Sequence, residues 1–193
     1  LLTAVRTRLK NGVSGKTTHT VDSNVSHLKS LTLHWSHRLP FGGHQSLIKA
    51  NRKNFLKFQQ LVGHVDVIHA HVSYPGGAVA QRLSAEFGVP YVITEHMGPF
   101  PFQALIENNQ LIKPLELAIS NASQVVAVSE FLAHRINSYG FRLPIVIPNV
   151  VDEESFVSCG QRYSKFTFFT LASLVQGKGL DLLIDAIARY SFR

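Results

Sequence analysis

From about residue 65 onward, short and nearly unbroken apolar runs alternate with stretches of helical periodicity. The runs are Val65 to Ala70, Tyr91 to Thr94, Gln124 to Val128, Ile145 to Ile147 and Phe166 to Leu171. All are rich in β-branched or aromatic residues and short enough for buried strands. Between them, helices are expected from the Pro75-Gly76-Gly77 turn to Phe87, over Leu111 to Asn121, from Ser129 to Tyr139, and over Leu180 to Ala188. Gly88-Val89-Pro90 stops the first of these, because glycine takes the left-handed conformation and proline blocks continuation. Ser129 stands where the third needs an N-cap.

Upstream the rhythm is weaker. Ile48, Phe55, Phe58 and Val62 recur at helical spacing between His44 and Val62, with Lys and Arg between them. This predicts an amphipathic helix with a solvated basic face. Ser30 to Trp35 alternates like a strand, and Pro40-Phe41-Gly42-Gly43 reads as a turn. The polar, basic stretch up to Ser30, broken by Gly12 and Gly15, is expected to form a weak helix followed by a loop.

Apolar strands alternating with helices imply an α/β fold, a Rossmann-like parallel sheet with helices on both faces. Right-handed crossovers bring the carboxyl ends of such strands to one edge, where ligands bind in this class. His71, Glu95, His96, Ser129 and Asn149 all follow predicted strands, so this edge collects polar side chains. The composition shifts to polar between Val151 and Lys165, a candidate linker, and only one strand and one helix follow it. The expected organisation is a Rossmann-like domain over 1–157 with an incomplete N-terminus, which the family resemblance described below implies to be the acceptor side, and the beginning of a second, truncated domain over 158–193.

Composition narrows the class. Hydrophobic residues make up 45% and charged residues 16% of the 193, a globular balance. The lone Cys159 excludes an intrachain disulfide and fits a reducing compartment. The net charge of +7 suits nucleic acid, anionic lipid or phosphorylated substrates without choosing among them. No apolar run reaches the roughly 20 residues of a bilayer span, and no signal-peptide pattern opens the chain. Leu1 in place of Met, and an end just past a helical pattern, make both termini look cut.

Several local motifs carry chemistry. Gly12 to Thr17 has too few residues between its glycines for a phosphate-wrapping P-loop, and no strand leads into it. His69 and His71 point the same way from one strand, and with His96 they suggest a metal-dependent hydrolase. No clear later ligand completes that set, so a metal-free sugar site is preferred. Gly76 and Gly77 open a helix whose bare N–H groups favour an anion or a sugar hydroxyl. Lys178, in Gly177-Lys178-Gly179, stands where a lysine can neutralise a diphosphate, and on spacing alone it reads equally well as a solvated loop lysine.

Taken in order, DVIHAHVSYPGG (66–77), VITEH (92–96), ASQVVAVSE (122–130), IPNVVD (147–152) and LASLVQGKGLDLLI (171–184) resemble glycosyltransferase family 4. These are retaining enzymes with two facing Rossmann-like domains, the GT-B fold. The stretch TEHMGPFPF is similar to members that assemble bacterial polysaccharides. The resemblance implies transfer of a sugar from a nucleotide-sugar donor to a glycan or lipid-linked acceptor, without metal or other cofactor. It implies His96 as the catalytic residue, with Ser129 and Asn149 at the cleft and Lys178 on the donor phosphate; His71, Glu95, Gly76 and Gly77, singled out at the strand edge and the helix start, complete the expected substrate-binding set. It also implies a cytoplasmic protein, with possible peripheral contact with anionic membrane at the inner face and no nucleic-acid partner.

There are departures from the family pattern. Ser173 occupies the position where a GRL-like sequence would supply a phosphate-binding arginine. The glycine-rich loop after the first strand is not found, and the later glutamate pair that grips the donor sugar would lie beyond Arg193. The chain is therefore expected to be a fragment with little or no transferase activity alone. Two other readings remain open: the hydrolase using His69, His71 and His96, and a non-enzymatic basic module.

Overall fold

The computed structural model describes residues 17–22, 25–30, 32, 44–157, 160 and 167–190. Two compact units are present, Leu1–Val150 and Val151–Arg193.

The first unit opens on an antiparallel hairpin, β1 (Thr17–Asp22) and β2 (Val25–Ser30), where a weak helix and loop were expected. Thr17, Thr18, Thr20 and Val21 explain the difference, because β-branched side chains favour the pleated conformation. Asn54 receives hydrogen bonds from Thr17 Oγ1 (3.2 Å) and Ser30 Oγ (2.7 Å). Those bonds fix the hairpin to α1 (His44–Val62). Of the strand expected over Ser30 to Trp35, Ser30 ends β2 and Thr32 is outside any strand; the rest, like the turn at Pro40 to Gly43, lies outside the described residues. The residues around Gly12 and Gly15 also lie outside them.

The regular part follows: β3 (Ile68–His71), α2 (Ala78–Phe87), β4 (Tyr91–Glu95), the short hairpin β5 (Ile106–Glu107) and β6 (Gln110–Leu111), α3 (Lys113–Ser120), β7 (Gln124–Ala127), α4 (Glu130–Asn137) and β8 (Ile145–Val146). The order β3-β4-β7-β8, with every pair parallel, makes a four-stranded sheet flanked by helices. This is the α/β architecture that the apolar runs imply. The strand expected from Val65 begins at Ile68 instead, where the Ile68 N–H donates to Pro90 O at 2.9 Å. It extends to His71, as β4 extends to Glu95, so both residues end strands rather than follow them.

Register decides which side chains are buried. Ala70 pairs with Ile93, Ile93 with Val125, and Glu95 with Ala127, so these residues share one face. All are buried, and the apolar ones pack among Leu115, Ala118 and Ile119 of α3 and Leu132, Ala133 and Ile136 of α4. His69, His71 and Thr94 alternate with them and are exposed or half-buried. Gly77, just before α2, lets that helix approach the sheet: a Cβ there would lie 2.8 Å from Ile93 Cδ1 and 3.3 Å from Ala118 Cβ.

α1 docks on α2 through Phe55, which stacks on Phe87 with centroids 4.7 Å apart, and through an Arg52–Glu86 ion pair. Val62, expected on the apolar seam, is 55% exposed at the helix end. Part of the basic face is thus paired rather than merely solvated.

In the second unit a 3-10 turn, Gln176–Lys178, leads through left-handed Gly179 (φ 66°) into α5 (Leu180–Arg189). Of the strand expected over Phe166 to Leu171, Phe166 lies outside the described residues and Thr167 to Leu171 is not a strand. A strand needs a partner for its backbone groups, and among the described residues this unit contains no other strand to supply one. No described helix is long and apolar enough to cross a membrane.

Candidate functional site

The carboxyl ends of β3 and β4 bring two imidazoles together. His71 ends β3, His96 follows β4, and His71 Nδ1 lies 3.1 Å from His96 Nε2 in a hydrogen bond. One of the two facing nitrogens must carry the proton and the other must be bare, so the bond requires at least one neutral ring. His69, two residues earlier on the same face, shares a 2.8 Å hydrogen bond with Thr94 Oγ1 and lies 4.6 Å from the His71 ring. Burial holds the His69 pKa below its ordinary value, with smaller contributions from the charges of His71 and His96. Although these three rings adjoin, no group of three or more His, Cys, Asp or Glu among the described residues is arranged to hold a metal ion.

Beneath the imidazoles lies Glu95, 0% exposed. Its Oε2 accepts from the Ser73 N–H at 2.8 Å and from the Ser73 hydroxyl; its Oε1 accepts from the N–H groups of His96 (2.9 Å) and Met97 (2.7 Å). Among the described residues no Lys or Arg forms an ion pair with it. Hydrogen bonds alone therefore offset its burial. Ser73 reaches the carboxylate because Val72 before it has φ 63° and ψ 142°. That conformation costs of order 1–3 kcal/mol for a β-branched residue. It is held at both ends by Val72 N–H to Thr94 O and Gly77 N–H to Val72 O, each 2.9 Å.

Gly76 and Gly77 follow within the same turn. A Cβ at Gly76 would lie 2.5 Å from the His71 carbonyl oxygen, so both glycines answer to packing in this structure. Beside them a hollow of about 280 Å³ is lined by His69, His71, Pro75 and Gly76, with Leu47 and Asn51 of α1. Two larger hollows, about 380 and 630 Å³, lie away from this edge, around Gln124 and Pro144 and around Gln110 and Tyr139. Neither gathers histidines, so the smaller hollow is the better candidate for chemistry.

Ser129 caps α4, its Oγ accepting from Leu132 N–H at 3.3 Å, and remains exposed beyond β7. Asn149 is exposed beyond β8. His71 and His96 are the only pair of expected site residues in the first unit whose side chains a hydrogen bond joins among the described residues. Lys178 belongs to the second unit, exposed in the turn before α5. The pattern reading missed Ser73, Thr94 and Asn51. Ser73 and Thr94 sit two residues from candidates already singled out, but only the register shows that they contact Glu95 and His69.

The family model for Glycosyltransferase Family 4 matches residues 14–155, which span the hairpin and the whole parallel sheet. The chain is similar to an uncharacterized glycosyltransferase of Methanocaldococcus jannaschii, 29% identical over 173 residues, covering 88% of this chain and 43% of the relative. It thus spans less than half the length of that relative. No solved structure matches. The family match covers most of the chain and includes the edge where His71 and His96 meet: this chain belongs to glycosyltransferase family 4.

Proposed function

We propose that the chain supplies the acceptor-side half of an enzyme that moves a sugar from a nucleotide-sugar donor to a glycan or lipid-linked acceptor. The observation that carries this reading is the His71–His96 pair at the carboxyl edge of the sheet, inside the matched family region. Glycosyl transfer develops positive charge on the sugar ring and negative charge on the departing diphosphate. The nitrogens that face each other are used up in the pair's own bond. With both rings neutral, the outer nitrogen of the donating ring is bare and can accept a hydroxyl hydrogen, while the outer N–H of the accepting ring can polarise a sugar oxygen.

In this reading His96 acts at the reaction centre, and His71, Ser129, Asn149 and the Gly76-Gly77 turn line the acceptor side. Lys178 serves the donor phosphates, and neither metal nor cofactor takes part. Polysaccharide assembly is the process, in the cytoplasm against an anionic membrane face, which suits the formal charge of +7. Domain limits near 157 and a donor half largely supplied by further sequence complete the proposal.

The test joins this chain to a complete family donor domain and measures sugar release from a panel of nucleotide sugars. Turnover by the joined protein, its loss by about a hundredfold or more in His96→Ala, and none from the chain alone are expected. No turnover or binding of any donor by the joined protein would end the reading.

A further inference from the structure

We propose that Glu95 is a positioning residue that sets His96 against His71, a role resting on the reading of this edge as the transferase site. The carboxylate spans two loops. Ser73, in the segment after β3, donates to one oxygen; His96 and Met97, after β4, donate to the other. Each oxygen therefore takes two donors, and a carboxylate has about four acceptor positions in all. All are occupied by the protein, and Glu95 and Ser73 are both 0% exposed. Glu95 has nothing left to offer a sugar hydroxyl, which separates it from the imidazoles above it.

What it does hold is the frame from which those imidazoles project. The His96 N–H is tied directly to Oε1, and His71 stands two residues before Ser73, across the strained Val72. On the far side Met97 is buried in the same core cluster as Phe100, so the loop after β4 is fixed at its next residue as well. The 3.1 Å contact between His71 and His96 thus closes a ring of bonds whose other crosspiece is the Glu95 carboxylate. If that crosspiece is removed, the two backbones keep their sheet register but lose the link that aligns their loops.

The test uses the full chain with isotope-labelled histidine and no donor or acceptor, so it succeeds or fails independently of glycosyl transfer. Glu95→Gln keeps size but presents an NH2 donor where N–H and O–H donors already converge. The ring-nitrogen shifts of His71 and His96 are expected to move, and the coupling across their hydrogen bond to disappear. The amides of His96 and Met97 are expected to exchange about tenfold or more faster. Ser73→Ala, which removes only the hydroxyl donor, gives the same changes in smaller measure. Ile93→Val, on the same buried face, lowers the melting temperature while leaving both rings unmoved. The proposal fails if Glu95→Gln, or Ser73→Ala should the first variant not fold, leaves the ring shifts and coupling unchanged. It fails equally if Ile93→Val moves them as far.

Discussion

At His69 the imidazole is held below its ordinary pKa of 6.5, chiefly by burial. A depressed histidine binds fewer protons folded than unfolded, so its contribution to stability is fully present above pH 6.5 and is lost as pH falls through the folded value. The melting temperature of the chain is therefore expected to fall as buffer is taken from about pH 7 to about pH 5. His69→Gln, which can keep a hydrogen bond to Thr94, is expected to reduce that slope; an unchanged slope would show that His69 is not its source. Gly77 gives a second prediction. Ile93 and Ala118, the neighbours that an added Cβ would meet, are both 0% exposed and have little room to move. Gly77→Ala is expected to cost about 1–3 kcal/mol in urea unfolding, the usual range for overpacking a tight core.

At the scale of the element, α4 shows how much the sequence revealed. Ser129 was legible as its cap because a short hydroxyl side chain directly precedes the helical rhythm, and the structure places its Oγ on the Leu132 N–H. Ser129→Ala is expected to cost about 0.5–1 kcal/mol in thermal unfolding, the low end for a lost cap because the bond is long; no loss would mean that water caps the helix as well. The four parallel strands were legible for a similar reason: each is an apolar run closed by turn residues, and burial makes that pattern strong. The β1–β2 hairpin was not. Its strands, TTHTVD and VSHLKS, are mostly polar with only Val21, Val25 and Leu28 apolar, and its anchor, Asn54, is supplied by a helix far along the chain. The run Phe166 to Leu171 failed in the opposite sense: its described part, Thr167 to Leu171, is apolar in pattern yet belongs to no strand, because composition alone does not supply the neighbouring strand that a sheet needs. The site divided along the same line. The sequence placed Glu95 and His96 at a strand end, but that one turns into the core and the other outward toward His71 follows from register and from the positive φ of Val72.

At the scale of the whole molecule the two units differ in what can hold them folded. The first has three clusters of buried apolar residues, centred on the sheet and α1 to α4. In the second no described residue is buried: Phe169, Leu171 and Leu174 are each more than 80% exposed, and α5 buries none of its side chains. Leu180, Leu183 and Ile187 of α5 are only half-buried, and a helix of ten residues is marginal in water when its apolar face is no better covered than that. Local opening follows burial, so amide exchange should separate the units sharply. In the full chain, peptides within 167–190 are expected to exchange at rates close to those of an unfolded chain. Peptides over Tyr91–Glu95 and Lys113–Ser120 should be protected by about a thousandfold or more. Adding a complete family donor domain should slow exchange in 167–190 only if its residues cover that apolar face. Strong protection of 167–190 in the chain alone would show that the second unit is held by contacts that the burial of its described residues does not account for.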